Sequence, residues 1–308
     1  MIVGNQTVTM FILQNFTQDP GLQVALFCFF FSLFTVALMG NGLIIATIHS
    51  SPNLHTPMYF FLVNLAMLDM ICTVSILPKV LQSLVADSTI SYRGCISQMF
   101  FFTWSLSSEL LLFTAMAYDR YLAICRPLLY GALMSPRVCV VLAAFVWSSG
   151  MLIALLLTGL VLRLSFCGPN LITHFFCEIP PVLLLSCTPT LLNDVVTITL
   201  DMILSGLNFL LTMVSYGFII VNILRIRSTE GKRRAFSTCS SHLIVVTSYY
   251  STVLYTYIRP ALGSTGLLDK AIAALYTVVT PALNPLIYTL RNKEFKTALK
   301  KLFSCSSK

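Results

Sequence analysis

LQVALFCFFFSLFTVALMGNGLIIATI, residues Leu22 to Ile48, runs for 27 positions without an acidic or basic side chain. A helix crosses the hydrocarbon core of a bilayer with about 20 consecutive apolar residues. Lipid offers no hydrogen bonds, so a spanning backbone must satisfy itself as a helix or in a closed barrel. Barrel strands alternate apolar and polar residues with a period of two. This stretch does not alternate, and its reading is a membrane-spanning helix. Further apolar stretches follow at 57–84, 95–122, 138–160, 194–224, 237–258 and 268–290, which together with 22–48 predict seven spans. The sixth, 237–258, is rich in Ser, Thr and Tyr and is the least apolar.

Composition agrees. Of the 308 residues, 57% are hydrophobic and 10% charged, and the mean hydropathy is +0.86. A soluble domain carries roughly a quarter charged residues. The net charge of +8 would raise the question of nucleic acid in a soluble protein. Here the basic residues flank spans, so topology explains them and no nucleic-acid partner is expected. Fourteen Lys and Arg fall on the side that includes Arg120, Arg126, Arg137, the 225–234 group and the C-terminal segment, against four on the other: Arg93, Arg163, Arg259 and Lys270. The excess marks the cytosolic side. The expected organisation is an extracellular segment 1–21, a seven-span domain 22–290 and a cytoplasmic tail 291–308, in a multi-pass protein of the plasma membrane.

Residues 1–20 hold no Lys or Arg and show no signal-peptide pattern, so the first span is expected to direct insertion. Sequons at Asn5-Gln6-Thr7 and Asn15-Phe16-Thr17 lie on the outer side, with Asn5 the better glycan acceptor because Asn15 is close to the membrane. Phe295, Leu299 and Leu302 share one face of 292–303, with lysines opposite, as in a helix lying on an anionic leaflet. The terminal Cys305-Ser306-Ser307-Lys308 lacks the aliphatic residues of a prenylation box.

Of ten cysteines, Cys28, Cys72, Cys125, Cys139 and Cys239 fall in or beside spans and Cys305 in the tail. Cys95, Cys167, Cys177 and Cys187 are left on the outer side, where three pairings are open. Two bridges would make the loop 161–193 an ordered lid. His174-Phe175-Phe176-Cys177-Glu178 suggests a metal site, but if Cys177 is in a disulfide only His174 and Glu178 remain, too few for one. Asp69 and Glu109 are intramembrane acids, rare and usually functional; no nucleophile, metal cluster or phosphate loop accompanies them, which excludes an enzyme and a bound cofactor. No internal repeat suggests a duplicated transporter.

Five motifs are more specific. Leu54-His55-Thr56-Pro57-Met58-Tyr59-Phe60-Phe61-Leu62 opens the second span, and Met116-Ala117-Tyr118-Asp119-Arg120-Tyr121-Leu122-Ala123-Ile124-Cys125 closes the third. Ser215-Tyr216 lies in the fifth, Ala235-Phe236-Ser237-Thr238-Cys239-Ser240-Ser241-His242 opens the sixth, and Pro281-Ala282-Leu283-Asn284-Pro285-Leu286-Ile287-Tyr288 ends the seventh. In this order they resemble the vertebrate olfactory receptor family of rhodopsin-like G-protein-coupled receptors, from Gly40-Asn41 to Lys301.

The resemblance implies an all-α seven-helix bundle with a short eighth helix, a small odorant ligand, a stimulatory heterotrimeric G protein raising cAMP, and the cilia of olfactory neurons. It implies the pairings Cys95–Cys177 and Cys167–Cys187. It also implies a switch in which Arg120 pairs with Asp119 at rest, with Tyr121, Tyr216, His242, Asn284, Pro285 and Tyr288 taking part. Cys95 and Arg120 are 25 residues apart, about 37 Å of helix, a full crossing. Asn41, Asp69, Glu109 and Asn284 are expected to form a polar core, either one that holds sodium or water or a structural hydrogen-bond cluster without an ion. Helical spacing points Phe102, Thr103, Leu106 and Ser107 into an outer pocket. Leu200, Leu204, Val253, Leu254, Tyr257, Ala274, Thr277 and Val278 are further candidates, in a mostly apolar set with a few hydroxyls suited to a small, largely uncharged, volatile molecule. Amine receptors of this class carry an Asp on helix three where this chain has Phe102, a departure that argues against an aminergic ligand. Asp201, in the outer half of the fifth span, recruits a donor or a cation if it faces the pocket. A lipid or metabolite receptor of the same fold and a transporter are the alternatives.

Overall fold

A computed structural model describes residues 8–262, 266–291 and 293–305. The helices are α1 (Pro20–Ser50), α2 (Pro57–Val85), α3 (Tyr92–Cys125), α4 (Tyr130–Leu133), α5 (Pro136–Val161), α6 (Ile179–Leu183), α7 (Leu191–Arg225), α8 (Thr229–Leu262), α9 (Gly266–Ala274), α10 (Thr280–Arg291) and α11 (Lys293–Cys305). The seven crossings are α1, α2, α3, α5, α7, α8 and the broken pair α9–α10, joined through a π-turn at Leu275–Val279.

Local chemistry sets the helix starts. Pro20, Pro57 and Pro136 occupy first-turn positions, where the missing N–H costs nothing. The Asp19 carboxylate accepts the Leu22 N–H at 2.8 Å, and the Ser91 hydroxyl accepts the Gly94 N–H at 3.1 Å, as N-caps do.

Among the described residues six helices are long and apolar enough to span unaided. α8 is not one of them. Lys232 and Arg233 lie near its start and Ser, Thr and Tyr fill its middle; the bundle provides its apolar surroundings through buried Val245, Val246, Tyr249 and Tyr250. α1, α5 and α7 instead present Phe29, Met39, Val141, Leu152 and Ile203 outward, an apolar surface that fits lipid and not water.

α3 is the buried axis, packed against α2, α5 and α7. Close approach depends on small residues: a Cβ at Gly150 would overlap Ser108 Oγ on α3, and one at Gly40 would stand 2.9 Å from Pro285 Cβ. At the inner end Phe295 of α11, only 1% exposed, joins the core cluster with Ile44 and Ile48.

The outer face carries a small sheet ordered β2-β1-β3. β1 (Met10–Leu13) pairs antiparallel with β2 (Thr89–Ser91) and parallel with β3 (Leu171–Ile172) of the loop 161–193. Phe11 and Leu13 are buried by it. The segment 1–21, read from sequence as a plain extracellular arm, therefore contains the central strand of the outer cap.

Candidate functional site

A cavity of about 180 Å³ lies in the outer half of the bundle. α3 contributes Phe102, Thr103, Leu106, Ser107 and Leu110, and α7 contributes Thr197, Asp201, Leu204 and Ser205. Leu157 of α5, Tyr249 of α8 and Tyr276 of the π-turn close the sides, and Glu178, Ile179 and Pro180 form the roof. The space is below the roughly 300–1,000 Å³ of a drug-sized pocket, so it suits small molecules. Above it a vestibule of about 510 Å³, lined by Gln14, His174, Asp194 and Asp269 among others, shares Pro180 and Thr197 with the cavity.

Five of the residues expected on the wall are there: Phe102, Thr103, Leu106, Ser107 and Leu204. Leu200 is not; it packs into the outer apolar cluster with Cys95, Leu157 and Ile179. Ala274, Thr277 and Val278 are also not on it. Ala274 and Val278 pack with Phe30, Cys72 and Ile76 of α1 and α2, and the Thr277 carbonyl accepts the Cys72 thiol. The π-turn at Leu275–Val279 inserts a residue into the helical register, and Tyr276 is the side chain that reaches the cavity. The side chains of Val253, Leu254 and Tyr257 lie outside the described residues. Helical spacing could not find the roof, because Glu178 to Pro180 belong to a loop.

The roof is held in several ways. Cys95–Cys177 ties it to α3 and Cys167–Cys187 closes the loop on itself. Gln98 of α3 accepts the Cys177 N–H at 2.7 Å and donates to the Ser75 carbonyl of α2 at 2.9 Å. Phe176 stacks edge-on with Phe102 at 5.1 Å, and Phe175 lies 4.7 Å from Phe16. His174 Nε2 and Glu178 Oε1 are 3.8 Å apart. Among the described residues no group of three or more His, Cys, Asp or Glu could hold a metal. Asn5 lies outside the described residues. The Asn15 side-chain nitrogen, the atom that would carry a sugar, donates to the Ser83 carbonyl at 2.7 Å, and Lys270 donates to the Asn15 carbonyl at 3.0 Å.

Deeper in the bundle, Asn284 Nδ2 donates to both Asp69 oxygens at 3.0 Å. Asn41 Nδ2 donates to the Ala37 and Pro281 carbonyls at 3.0 and 3.1 Å. Glu109 Oε1, Asn41 Oδ1 and Asn284 Oδ1 are buried and make no hydrogen bond.

At the cytosolic end, Arg120 Nε donates to Asp119 Oδ2 at 2.9 Å, and Arg120 Nη2 bonds the same oxygen. The other oxygen, Oδ1, accepts the Tyr130 hydroxyl of α4 at 2.7 Å. Burial, and then the Asp119 carboxylate, push the Tyr130 phenol above its ordinary range, so it stays a donor. Tyr130 belongs to the intracellular turn of α4 and was not among the expected switch residues. Tyr216 of α7 bonds His242 Nδ1 of α8 at 2.6 Å. Tyr121 stacks against Tyr118 and Phe218 at 6.4 and 5.9 Å. Pro285 is buried against Gly40; the Tyr288 side chain lies outside the described residues.

Comparison with known proteins agrees with this arrangement. A family model described as olfactory receptor matches residues 27–306. The chain is 53% identical over 303 residues to olfactory receptor 13G1 of Homo sapiens, covering 98% of this chain and 99% of that one. It is 55% identical over 304 residues to olfactory receptor 13A1 of Homo sapiens, covering 98% and 93%. Olfactory receptor 5AR1 of Mus musculus is 44% identical over 300 residues, covering 97% of each. A seven-span bundle with these motifs, matched over nearly its whole length, makes this chain a multi-pass membrane protein that belongs to the olfactory receptor family, a family of receptors and not of enzymes.

Proposed function

We propose that the chain is an odorant receptor that binds a small, mostly apolar volatile molecule in the cavity of the outer bundle and activates a stimulatory heterotrimeric G protein of the olfactory type, raising cAMP, in the ciliary membrane of olfactory sensory neurons. The observation that carries this is a shared helix face. Tyr249 lines the cavity and His242, on the same helix α8, bonds Tyr216. They are seven residues apart, two turns or about 10 Å along one face. Phe113 of α3 packs against both rings, with centroids at 5.3 and 6.2 Å. A ligand that displaces Tyr249 acts on the His242–Tyr216 bond through a rigid element. Release of Tyr216, together with opening of the Asp119–Arg120 pair, would expose Arg120 to the G protein.

The test is a cAMP reporter screen of the surface-expressed receptor against a broad odorant panel. Concentration-dependent responses that are lost on Arg120→Ala are expected. Silence across the panel with confirmed surface expression would count against the odorant reading.

In the resting form we assign the polar core of Asp69 and Glu109, with Asn41 and Asn284, as the place for a sodium ion. Its support is chemical: the two acids are buried beside oxygens that lack partners, and a hard cation takes oxygen ligands. Such an ion would supply the positive charge that the two acids lack. Raising sodium is expected to lower basal signalling in wild type and not in Asp69→Asn; equal sodium dependence in both would remove the ion.

A further inference from the structure

The cavity wall contains a carboxylate that the bundle leaves unpaired. Asp201 of α7 lines the cavity and makes no side-chain hydrogen bond or ion pair with any described residue. Tyr249, 1% exposed, also lines the cavity, and its hydroxyl is buried without a partner among the described residues. Glu178 in the roof is a second acid, engaged with His174 at 3.8 Å. Among the described wall residues there is no Lys, Arg or His, and the hydroxyls of Thr103, Ser107, Thr197, Ser205 and Tyr276 complete the polar set. The remaining surface is apolar, from Phe102 and the leucines of α3, α5 and α7 to Ile179 and Pro180 of the roof.

Asp201 is exposed on its own helix but lies within a membrane span, where a carboxylate without a counterpart is costly, and a cation or strong donor brought to it recovers that cost. An anion beside Asp201 and Glu178 adds like-charge repulsion. A neutral carbonyl ligand accepts hydrogen bonds but donates none, so it leaves Asp201 unsatisfied. By resemblance, Phe102 stands on α3 where amine receptors of this class carry an acid, which by itself argues against an amine; in the folded chain Asp201 lines the cavity from α7 instead. The vestibule above is acidic as well, with Asp194 and Asp269 on its wall, so a positive ligand meets a favourable potential on its way in.

We propose that the preferred ligand is a small aliphatic amine, its protonated nitrogen on Asp201 with Tyr249 accepting a second N–H, and its chain along Phe102, Leu106 and Leu110. This rests on the odorant-receptor reading above and names the ligand class for the same cavity. Like the lysine side chain, an alkylamine at neutral pH is protonated by a margin on the order of a thousandfold, so the charge is present as the ligand arrives.

The test compares alkylamines of graded length with alcohols, aldehydes and carboxylates of the same chains, in cells carrying surface-tagged wild type, Asp201→Asn, Asp201→Glu and Tyr249→Phe, with a cAMP reporter. The amine is expected to be the most potent of each set by about tenfold, and the carboxylate silent. Asp201→Asn should raise the half-maximal concentration of the amine about tenfold or more and that of the alcohol by clearly less, while Asp201→Glu keeps the preference. Surface levels of the two Asp201 variants separate loss of recognition from loss of folding. Alcohols or aldehydes that activate while amines do not would overturn the amine and leave the receptor reading standing. Equal shifts for amine and alcohol in Asp201→Asn would also overturn it. Silence of every class would remove the cavity reading and this inference together.

Discussion

Both oxygens of Asp119 are occupied, one by Arg120 and the other by Tyr130. An acid held from two sides is a better lock than an acid beside an arginine, because its rotamer is fixed by a neighbour that belongs to another element. A hydrogen bond to a charged group contributes about 1.5–3 kcal/mol. Tyr130→Phe keeps the ring and deletes the donor, so it should raise basal cAMP by about tenfold or more if most of that bond is lost on activation. Asp119→Asn, which weakens both contacts, should raise it further. Basal signal normalised to surface receptor is the measurement; two variants at the wild-type level would show that the pair is not a restraint. Sequence order exposed Asp119 and Arg120 because they sit in a recognisable motif. It did not expose Tyr130, which is 11 residues away in a turn whose geometry no periodicity encodes.

Among the elements, the loop 161–193 depends on more than its bridges. Gln98 spans three pieces of chain by accepting from Cys177 and donating to Ser75, and it is 5% exposed. Gln98→Ala would leave a buried N–H and a buried carbonyl without partners, at about 1–3 kcal/mol each. The thermal midpoint of the purified receptor should fall by several degrees with both disulfides intact. An unchanged midpoint would mean that the disulfide alone fixes the roof.

The seven crossings were legible in order because lipid demands long apolar runs, and each expected span lies within an observed helix or helix pair. α8 was the weakest of them in sequence for the reason that it matters in the fold: Ser240, Tyr249, Tyr250 and Thr252 are buried in the bundle. β1 was not legible. Its partners at Thr89–Ser91 and Leu171–Ile172 are far along the chain, and four residues carry too little pattern to announce a strand. The wall of the cavity was legible on α3, where ideal helical spacing holds. It failed for Leu200 of α7, which packs into the outer cluster, and for Ala274, Thr277 and Val278 at and beside the π-turn that breaks the spacing.

At the scale of the whole molecule, charge and apolarity are divided by face. The inner face carries the basic excess, and α11 adds Lys296 and Lys301, both exposed, beside a Phe295 that is buried against the bundle. A lysine near an anionic leaflet contributes about 1 kcal/mol. In nanodiscs, the amides of α11 should exchange more slowly in phosphatidylserine than in phosphatidylcholine, and Lys296→Glu with Lys301→Glu should abolish the difference. Equal exchange in the two lipids for wild type would mean that α11 is held by Phe295 and Ala298 alone.

The face of α8 that carries both Tyr249 and His242 has a thermodynamic consequence. If a ligand in the outer cavity favours the form that a G protein recognises, then the G protein, bound on the far side of the membrane, must favour the ligand by the same factor, since one coupling free energy serves both directions. The receptor's apparent affinity for its odorant is then not a constant of the cavity. It depends on how much G protein the cell supplies, and the same chain placed in membranes rich or poor in that partner will report different sensitivities to the same molecule.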